Sequence, residues 1–194
     1  MTRRDILCNA AFAAAAGAPT LGFAQHVHEA VEEQKSSGPY APKVFNEREW
    51  TTLRRLCDLI VPADDQSKGA LDGGAPEYID MLSSHNPELA SLYTGGLAWL
   101  DHASEGRFGS PFAQARAEQQ TALLDSIAYR KNESPETGPG VRFFELARKM
   151  TVDAFYTSAA GVIALGYMGN KAVSKFEIPP EALEYALRRS GVGE

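Results

Sequence analysis

The sequence predicts an all-α protein, a single domain built as an irregular orthogonal array of helices after a cleaved signal. Apolar residues recur at intervals of three and four along most of the chain, which is the spacing of one helix face. No segment alternates apolar and polar residues over the length of a strand, and β-branched residues are few. The predicted helices differ in length and are joined by long loops, which favours an orthogonal array over a regular four-helix bundle.

Residues 1–24 have the pattern of a twin-arginine export signal. Arg3 and Arg4 precede an apolar, alanine-rich stretch, and Gly22-Phe23-Ala24 provides a small-residue cleavage site. The apolar run is shorter than the roughly 20 unbroken residues of a membrane span. A cytosolic helix that begins with two arginines is the alternative, but a proline and a glycine interrupt the stretch. We therefore expect a periplasmic mature protein that begins at Gln25.

The charge of the chain argues against nucleic acid as a partner. The full chain has 19 Lys and Arg residues against 25 Asp and Glu residues, a net charge of −6 at neutral pH. The signal takes one net positive charge with it, so the mature charge becomes −7. A chain this acidic is unsuited to a phosphate backbone. Removing 24 of 194 residues leaves 170, enough for one domain with its own core.

Residues 25–45 are predicted to form an extended polar arm. The segment contains a Ser-Ser-Gly-Pro run and few apolar residues. Its histidine pair, His26 and His28, makes a weak metal site because a third nearby ligand is missing, so a solvated linker is favoured. An arm of this composition gains order only by lying against another surface, and we expect it at the interface with a partner.

Residues 46–194 are predicted to form the helical domain. Asn46 is a suitable N-cap for its first helix, Glu49 completes a capping box, and Pro62 ends the helix. Later helices are placed by a proline near the first turn or by an apolar stripe of helical spacing. They are expected to begin near Pro76, at Pro87, at Ser110-Pro111, near Phe143 and near Glu181. In the helix that begins at Pro87, the residues expected to face inward are Leu89, Leu92, Tyr93, Leu97 and Leu100.

Cys57 is the one cysteine that remains after removal of the signal, so it has no partner within the mature chain. It lies on the apolar side of the first predicted helix of the domain, where a free cysteine is usually a small buried hydrophobe. The alternative is a disulfide to another subunit, which an oxidising periplasm permits.

No motif for a catalytic cofactor is recognisable in the sequence. It contains no Cys-x-x-Cys-His for covalent haem, no dinucleotide-binding glycine motif and no phosphate loop. The acidic loop from Asp64 to Asp72 lacks the spacing of a calcium loop, and turn formation explains its composition. His85 and His102 have no positioned nucleophile, which favours surface or capping roles. We therefore predict no catalytic residue, cofactor or metal in this chain.

A series of short motifs runs through the predicted domain from Leu59 to Asn170. The first are Leu59-Ile60-Val61-Pro62-Ala63-Asp64, Gly69-Ala70, Tyr78-Ile79-Asp80 and Gly95-Gly96-Leu97-Ala98-Trp99-Leu100-Asp101. The later ones are Phe108-Gly109, Phe112, Gln119-Gln120, Phe143-Phe144, Phe155-Tyr156-Thr157-Ser158 and Gly166-Tyr167-Met168-Gly169-Asn170. In this order, and together with the export signal, they resemble the gluconate 2-dehydrogenase subunit 3 family.

The resemblance implies a small, cofactor-free subunit that accompanies a large FAD-dependent flavoprotein of the glucose-methanol-choline (GMC) type. The large subunit oxidises a sugar, sugar acid, polyol or glycoside, and a multihaem cytochrome c, with haem c, often forms a third subunit. The large subunit commonly lacks an export signal, so the small subunit carries it through the twin-arginine translocase. Another subunit can attach such a complex to the inner membrane.

The predicted function is therefore that of a non-catalytic subunit that binds, stabilises and co-exports a flavoprotein. Two alternatives stay open: an independent periplasmic enzyme or ligand-binding domain, whose histidines and acidic loop would converge in a pocket, and a chaperone released after export. For the subunit, we expect the interface to include Asp64, Phe155, Tyr156 and Tyr167. Aromatic residues are enriched at interface centres, although Phe155 is equally suited to the core.

Overall fold

A computed structural model describes residues 21–167 and 178–190. Within these ranges the regular structure consists of eight α-helices and two short 3-10 turns, with no strand, so the predicted all-α class is confirmed. The helices are α1 (Leu21–Ser36), α2 (Glu47–Ile60), α3 (Ala75–His85), α4 (Pro87–Phe108), α5 (Ala117–Ile127), α6 (Gly138–Tyr156), α7 (Ala159–Ala164) and α8 (Pro180–Ser190). The 3-10 turns are Phe112–Gln114 and Arg130–Asn132.

Helix α6 lies at the centre of the fold and packs against α2, α3, α4, α5 and α7. The sequence predicted a strongly amphipathic helix here, and its inner face is buried as expected. The helix begins earlier than predicted, at Gly138 rather than near Phe143, because Pro139 fits its first turn. None of the helices in the two described ranges is both long and apolar enough to cross a membrane.

The start of α2 is the capping box that the sequence predicts. The Asn46 side chain accepts a hydrogen bond from the Glu49 amide at 3.0 Å, and the Glu49 carboxylate accepts one from the Asn46 amide at 3.0 Å. Both bonds satisfy amides that a helix start otherwise leaves without partners. Downstream, Leu53, Leu56 and Cys57 are buried against the core, as the helical spacing predicts.

Helices α4 and α6 approach closely because each has a glycine where the other presents an aromatic ring. A Cβ atom added at Gly96 of α4 would overlap the ring of Phe143 on α6. In the same way, a Cβ atom at Gly140 of α6 would overlap the ring of Trp99 on α4. The two contacts are reciprocal and set the distance between the two helices.

Two buried carboxylates tie separate elements together. Asp80 on α3 accepts hydrogen bonds from the Tyr40 hydroxyl at 2.8 Å and from the Lys43 amide at 2.8 Å, which holds the irregular segment 37–45 against the domain. Asp101 on α4 accepts from Arg48 Nε at 2.6 Å. It also accepts from the amide of Phe112, at 3.1 Å, and so joins α2 and the first 3-10 turn to α4. Hydrogen bonds to an ionised acceptor of this kind are among the stronger ones in a protein.

The extended conformation predicted for residues 25–45 is wrong for its first part. Residues from Gln25 to Ser36 belong to α1, and α1 packs on α3. Ala24, Val27 and Val31 are spaced by three and four residues and are all buried, so one side of a mostly polar segment is apolar. The surface that orders this segment is thus its own domain. The remainder, residues 37–45, is irregular as expected.

Two smaller predictions also differ from the structure. Ser110-Pro111 was expected to open a helix, but a 3-10 turn follows it and α5 begins only at Ala117. The Phe112 ring is buried and its amide is bound to Asp101, which holds the chain in the turn. Leu92 was expected to face inward with its neighbours on α4, yet it is exposed. The buried face of α4 instead includes Tyr93 and, four residues further on, Leu97.

Candidate partner interface

Among the described residues, several large apolar side chains are exposed at the end of α6, in α7 and just after α7. We call this group, Tyr156, Ile163, Leu165 and Tyr167, the α7 segment. Their exposed fractions lie between 41% for Tyr156 and 79% for Ile163. Four such side chains fall within twelve residues of sequence, in a protein whose other helices from α1 to α6 bury their apolar faces.

The turn that presents the α7 segment is built on the buried ring of Phe155, the residue before Tyr156. On one side the ring lies so close to Gly73 that a Cβ atom there would be 2.8 Å from Phe155 Cδ2. On the other side Gly161 lies against the Phe155 carbonyl, where any side chain would overlap it. Ser158 closes the turn, because its hydroxyl donates to the Phe155 carbonyl at 2.6 Å and accepts from the Gly161 amide at 3.1 Å.

The end of α6 is also held by α1 through His28. The Thr157 hydroxyl donates to the Asp153 carbonyl at 2.6 Å, which leaves its oxygen to accept from His28 Nε2 at 3.1 Å. The imidazole ring lies 4.9 Å from the ring of Tyr78, centre to centre. Burial lowers the pKa of His28, since it disfavours the charged imidazolium. His28 therefore acts as a contact between helices.

The structure separates the residues that the sequence assigned to the interface. Phe155 is 1% exposed and fills the core, so its assignment to the interface is wrong. Tyr156 and Tyr167 are exposed, and their contact with a partner stays a prediction. Asp64 is exposed too, but its carboxylate accepts from the amides of Gln66 at 2.8 Å and Ser67 at 2.7 Å, which closes a local turn.

Cys57 is a buried side chain, as the favoured prediction has it. The cysteine is fully buried, and its sulfur lies 3.4 Å from the hydroxyl oxygen of Thr151 on α6. Burial raises the pKa of the Cys57 thiol to about 12, and the thiolate is the form that reacts. The structure therefore does not support the alternative, a disulfide to another subunit.

The remaining candidate residues serve local structure. His26 is exposed and pairs with Glu29 at 3.4 Å, whereas His28 is half-buried, so the two do not form a site together. In the acidic loop, Asp72 accepts from the Gly69 amide at 2.9 Å. His85 ends α3 with its Nδ1 atom 3.0 Å from the Met81 carbonyl. Across residues 21–167 and 178–190, no three His, Cys, Asp or Glu side chains are grouped so that they could hold a metal ion.

The exposure of Ile163 and Leu165 in the α7 segment, and of the apolar side of α8, was not predicted from the sequence. Ile163 and Leu165 lie in a stretch of small residues that has no apolar stripe of helical spacing. Large apolar residues isolated in this way were the sequence feature that could have indicated their exposure. Arg3 and Arg4, the two arginines of the predicted export signal, lie outside the described residues.

A shallow apolar groove lies between α2, α5 and α6. Its lining residues come from the three helices and the end of α5: Leu59, Ile60, Thr121, Leu124, Asp125, Ala128, Phe144, Arg148 and Val152. Six of the nine lining residues are apolar, and Thr121, Asp125 and Arg148 supply the polar and charged groups.

Comparison with known proteins gives one family match. The sequence model of the family described as Gluconate 2-dehydrogenase subunit 3 matches residues 47–173, about two thirds of the chain. The matched span begins at the first residue of α2 and includes the α7 segment, while α1 and α8 lie outside it. No curated protein and no solved structure gives a significant match.

Proposed function

The chain belongs to the gluconate 2-dehydrogenase subunit 3 family, and from this premise we propose that it binds, stabilises and co-exports a large FAD-dependent flavoprotein. In this role the chain is the non-catalytic small subunit of a dehydrogenase complex. The partner is of the GMC type and oxidises a sugar, sugar acid, polyol or glycoside. The partner carries the FAD, and a multihaem cytochrome c is the electron acceptor.

The observation that carries this proposal is the α7 segment. A domain whose helices α1 to α6 bury their apolar faces rarely leaves four large side chains uncovered within twelve residues unless a partner covers them. Tyr156 and Tyr167 supply large contact areas with a hydroxyl at the rim, which suits the centre of a protein interface. The matched family span includes this segment, as a role shared by the family requires.

The α7 segment is also suited to binding because its start is already ordered. Ser158 caps α7, and the buried Phe155 ring anchors the turn before it. Binding therefore does not have to order this turn, and the entropic cost of association is reduced. The partner surface that fits is an apolar depression with hydrogen-bond partners for two tyrosine hydroxyls.

Co-export requires that the signal be joined to the domain that holds the partner. The predicted signal ends at Ala24, which lies within α1, and α1 packs on α3 of the folded domain. The twin-arginine route carries folded cargo, so a flavoprotein bound to this domain in the cytoplasm would cross with it. A periplasmic complex is the expected product.

The test is binding to a GMC-type flavoprotein produced together with this chain, with Tyr156→Ala and Tyr167→Ala compared with wild type. If either tyrosine is a hot spot, its loss weakens binding by about 1 to 4 kcal/mol without unfolding the small subunit. Tyr129→Ala is the matched control, because Tyr129 is 60% exposed like Tyr167 but lies between α5 and α6. Affinity is measured by titration calorimetry, and folding by circular dichroism.

Wild-type affinity in both folded variants would show that the α7 segment is not the interface. Failure of the wild-type chain to bind any flavoprotein would overturn the proposed function itself. Unfolding of either isolated variant would place that tyrosine in the core and remove it from the interface.

A further inference from the structure

Helix α8 differs from the other helices in the described part of the chain because none of its residues is buried. Its two leucines, Leu183 and Leu187, are 46% and 47% exposed, and Ile178 just before the helix is exposed as well. The leucines are four residues apart and therefore lie on one side of the helix. Ala182 and Ala186 repeat the same spacing beside them. We call this side, formed by the two leucines and two alanines, the α8 face.

The charges of α8 follow its dipole. Glu181 lies in the first turn, Glu184 follows in the same half, and Arg188 and Arg189 lie in the last turn. This order stabilises the helix, because the acidic side chains lie towards its partially positive N-terminus and the basic side chains lie near its partially negative C-terminus. The hydrogen bond from Arg189 to the Tyr185 hydroxyl at 2.7 Å adds a contact between neighbouring turns. The sequence of α8 is thus that of an amphipathic helix, and no other part of the chain that the structure describes buries its apolar side.

A helix as short as α8 needs a surface to pack against in order to be stable in water. Eleven residues form a helix about 16 Å long, which is marginal in water unless tertiary contacts support it. A second copy of α8 would supply too little surface, since two rods of this length bury far less than the roughly 1,200 Å² of a stable interface. A groove, which encloses the helix on more than one side, buries more of each leucine.

We infer that α8 docks by the α8 face into an apolar groove of the large dehydrogenase subunit, an inference that rests on the proposed function. The groove has carboxylates near Arg188 and Arg189 and basic side chains near Glu181 and Glu184. Residues 168–177 separate α8 from the α7 segment, and ten residues can span up to about 35 Å. One partner can therefore engage both surfaces. Helix α8 lies outside the matched span of the family, so this contact is separate from the one proposed for the α7 segment.

The test is Leu183→Gln with Leu187→Gln in the full chain, produced together with its flavoprotein. Glutamine keeps a similar helix propensity, so the change removes the apolar contact and spares the helix. We expect at least a tenfold loss of affinity for the flavoprotein. Leu92→Gln is the matched control, because Leu92 is 54% exposed on α4 and should leave affinity unchanged.

The outcomes separate this inference from the proposed function. If wild type binds no flavoprotein, the proposed function fails. If wild type and the double variant bind it equally, α8 docking is overturned while the proposed function stands. Two further measurements on the isolated small subunit also decide against α8 docking. These are a lower melting temperature of the double variant, which would show α8 packed on its own domain, and a loss of self-association, which would make a second copy the occupant.

Discussion

At the scale of single residues, several short motifs of the family resemblance hold helices together. In Tyr78-Ile79-Asp80, the tyrosine contacts His28 of α1 and the aspartate binds the irregular segment that leads into α2. In the motif that ends in Asp101, Gly96 and Trp99 form the contacts between α4 and α6. These motif residues are buried or half-buried, so they contribute to the packing of the domain.

The neighbouring glycines of α4 give a direct test of this interpretation. Gly96→Ala should destabilise the protein by about 1 to 3 kcal/mol, because the new methyl group overlaps the Phe143 ring and the core must shift. Gly95→Ala should be neutral or stabilising by up to about 1 kcal/mol, since its added Cβ meets no atom within 4 Å and alanine is the better helix former. Urea unfolding of the two variants measures the difference. Equal stability would show that the close contact of α4 and α6 does not depend on Gly96.

At the scale of elements, α1 shows how a polar segment becomes part of the domain. Its three buried residues form a narrow apolar line, and most of its other side chains are exposed. A helix with so narrow a line is favoured only where a neighbour covers it, and α3 provides that cover. The element is therefore stabilised by its packing more than by its own sequence.

Val31→Asp should release α1 from α3, because it places a carboxylate at a position that is 2% exposed, where removing a charge from water is costly. Hydrogen exchange of the amides in residues 25–36 should accelerate at least tenfold, while α6 keeps its protection. Glu33→Asp is the control, since Glu33 is exposed on the same helix. Unchanged exchange in the Val31 variant would mean that α1 is held by contacts other than its apolar line.

At the scale of the whole molecule, we expect this one chain both to carry the export signal and to bind the flavoprotein. Changing Arg3 and Arg4 to lysine keeps the charge of the signal but removes the double arginine that the translocase recognises. Both the small subunit and its flavoprotein should then stay in the cytoplasm. Cell fractionation with a dehydrogenase assay measures this, and a protein with its own independent signal controls for general export. Normal periplasmic dehydrogenase activity in the variant would rule out shared export.

Features that depend on residues a few positions apart could be predicted from the sequence. The capping box at Asn46, the prolines that open α3 and α4, and the amphipathic stripe of α6 act within one or two helical turns, so they can be read from spacing. The all-α class follows from the same local periodicity. The order of the motifs was sufficient for the family, because that order does not depend on knowing which side chains are buried.

Only the tertiary structure decided which side chains are covered. Phe155 and Tyr156 are adjacent aromatic residues, yet the Phe155 ring lies against Gly73 in the core and Tyr156 is exposed. Cys57 is covered by α6 and is therefore not available for a disulfide to another subunit. Residues 25–36 form a helix because α3 covers their apolar side. Burial is a property of two surfaces brought together from distant parts of the chain, and spacing within one segment describes only one of them.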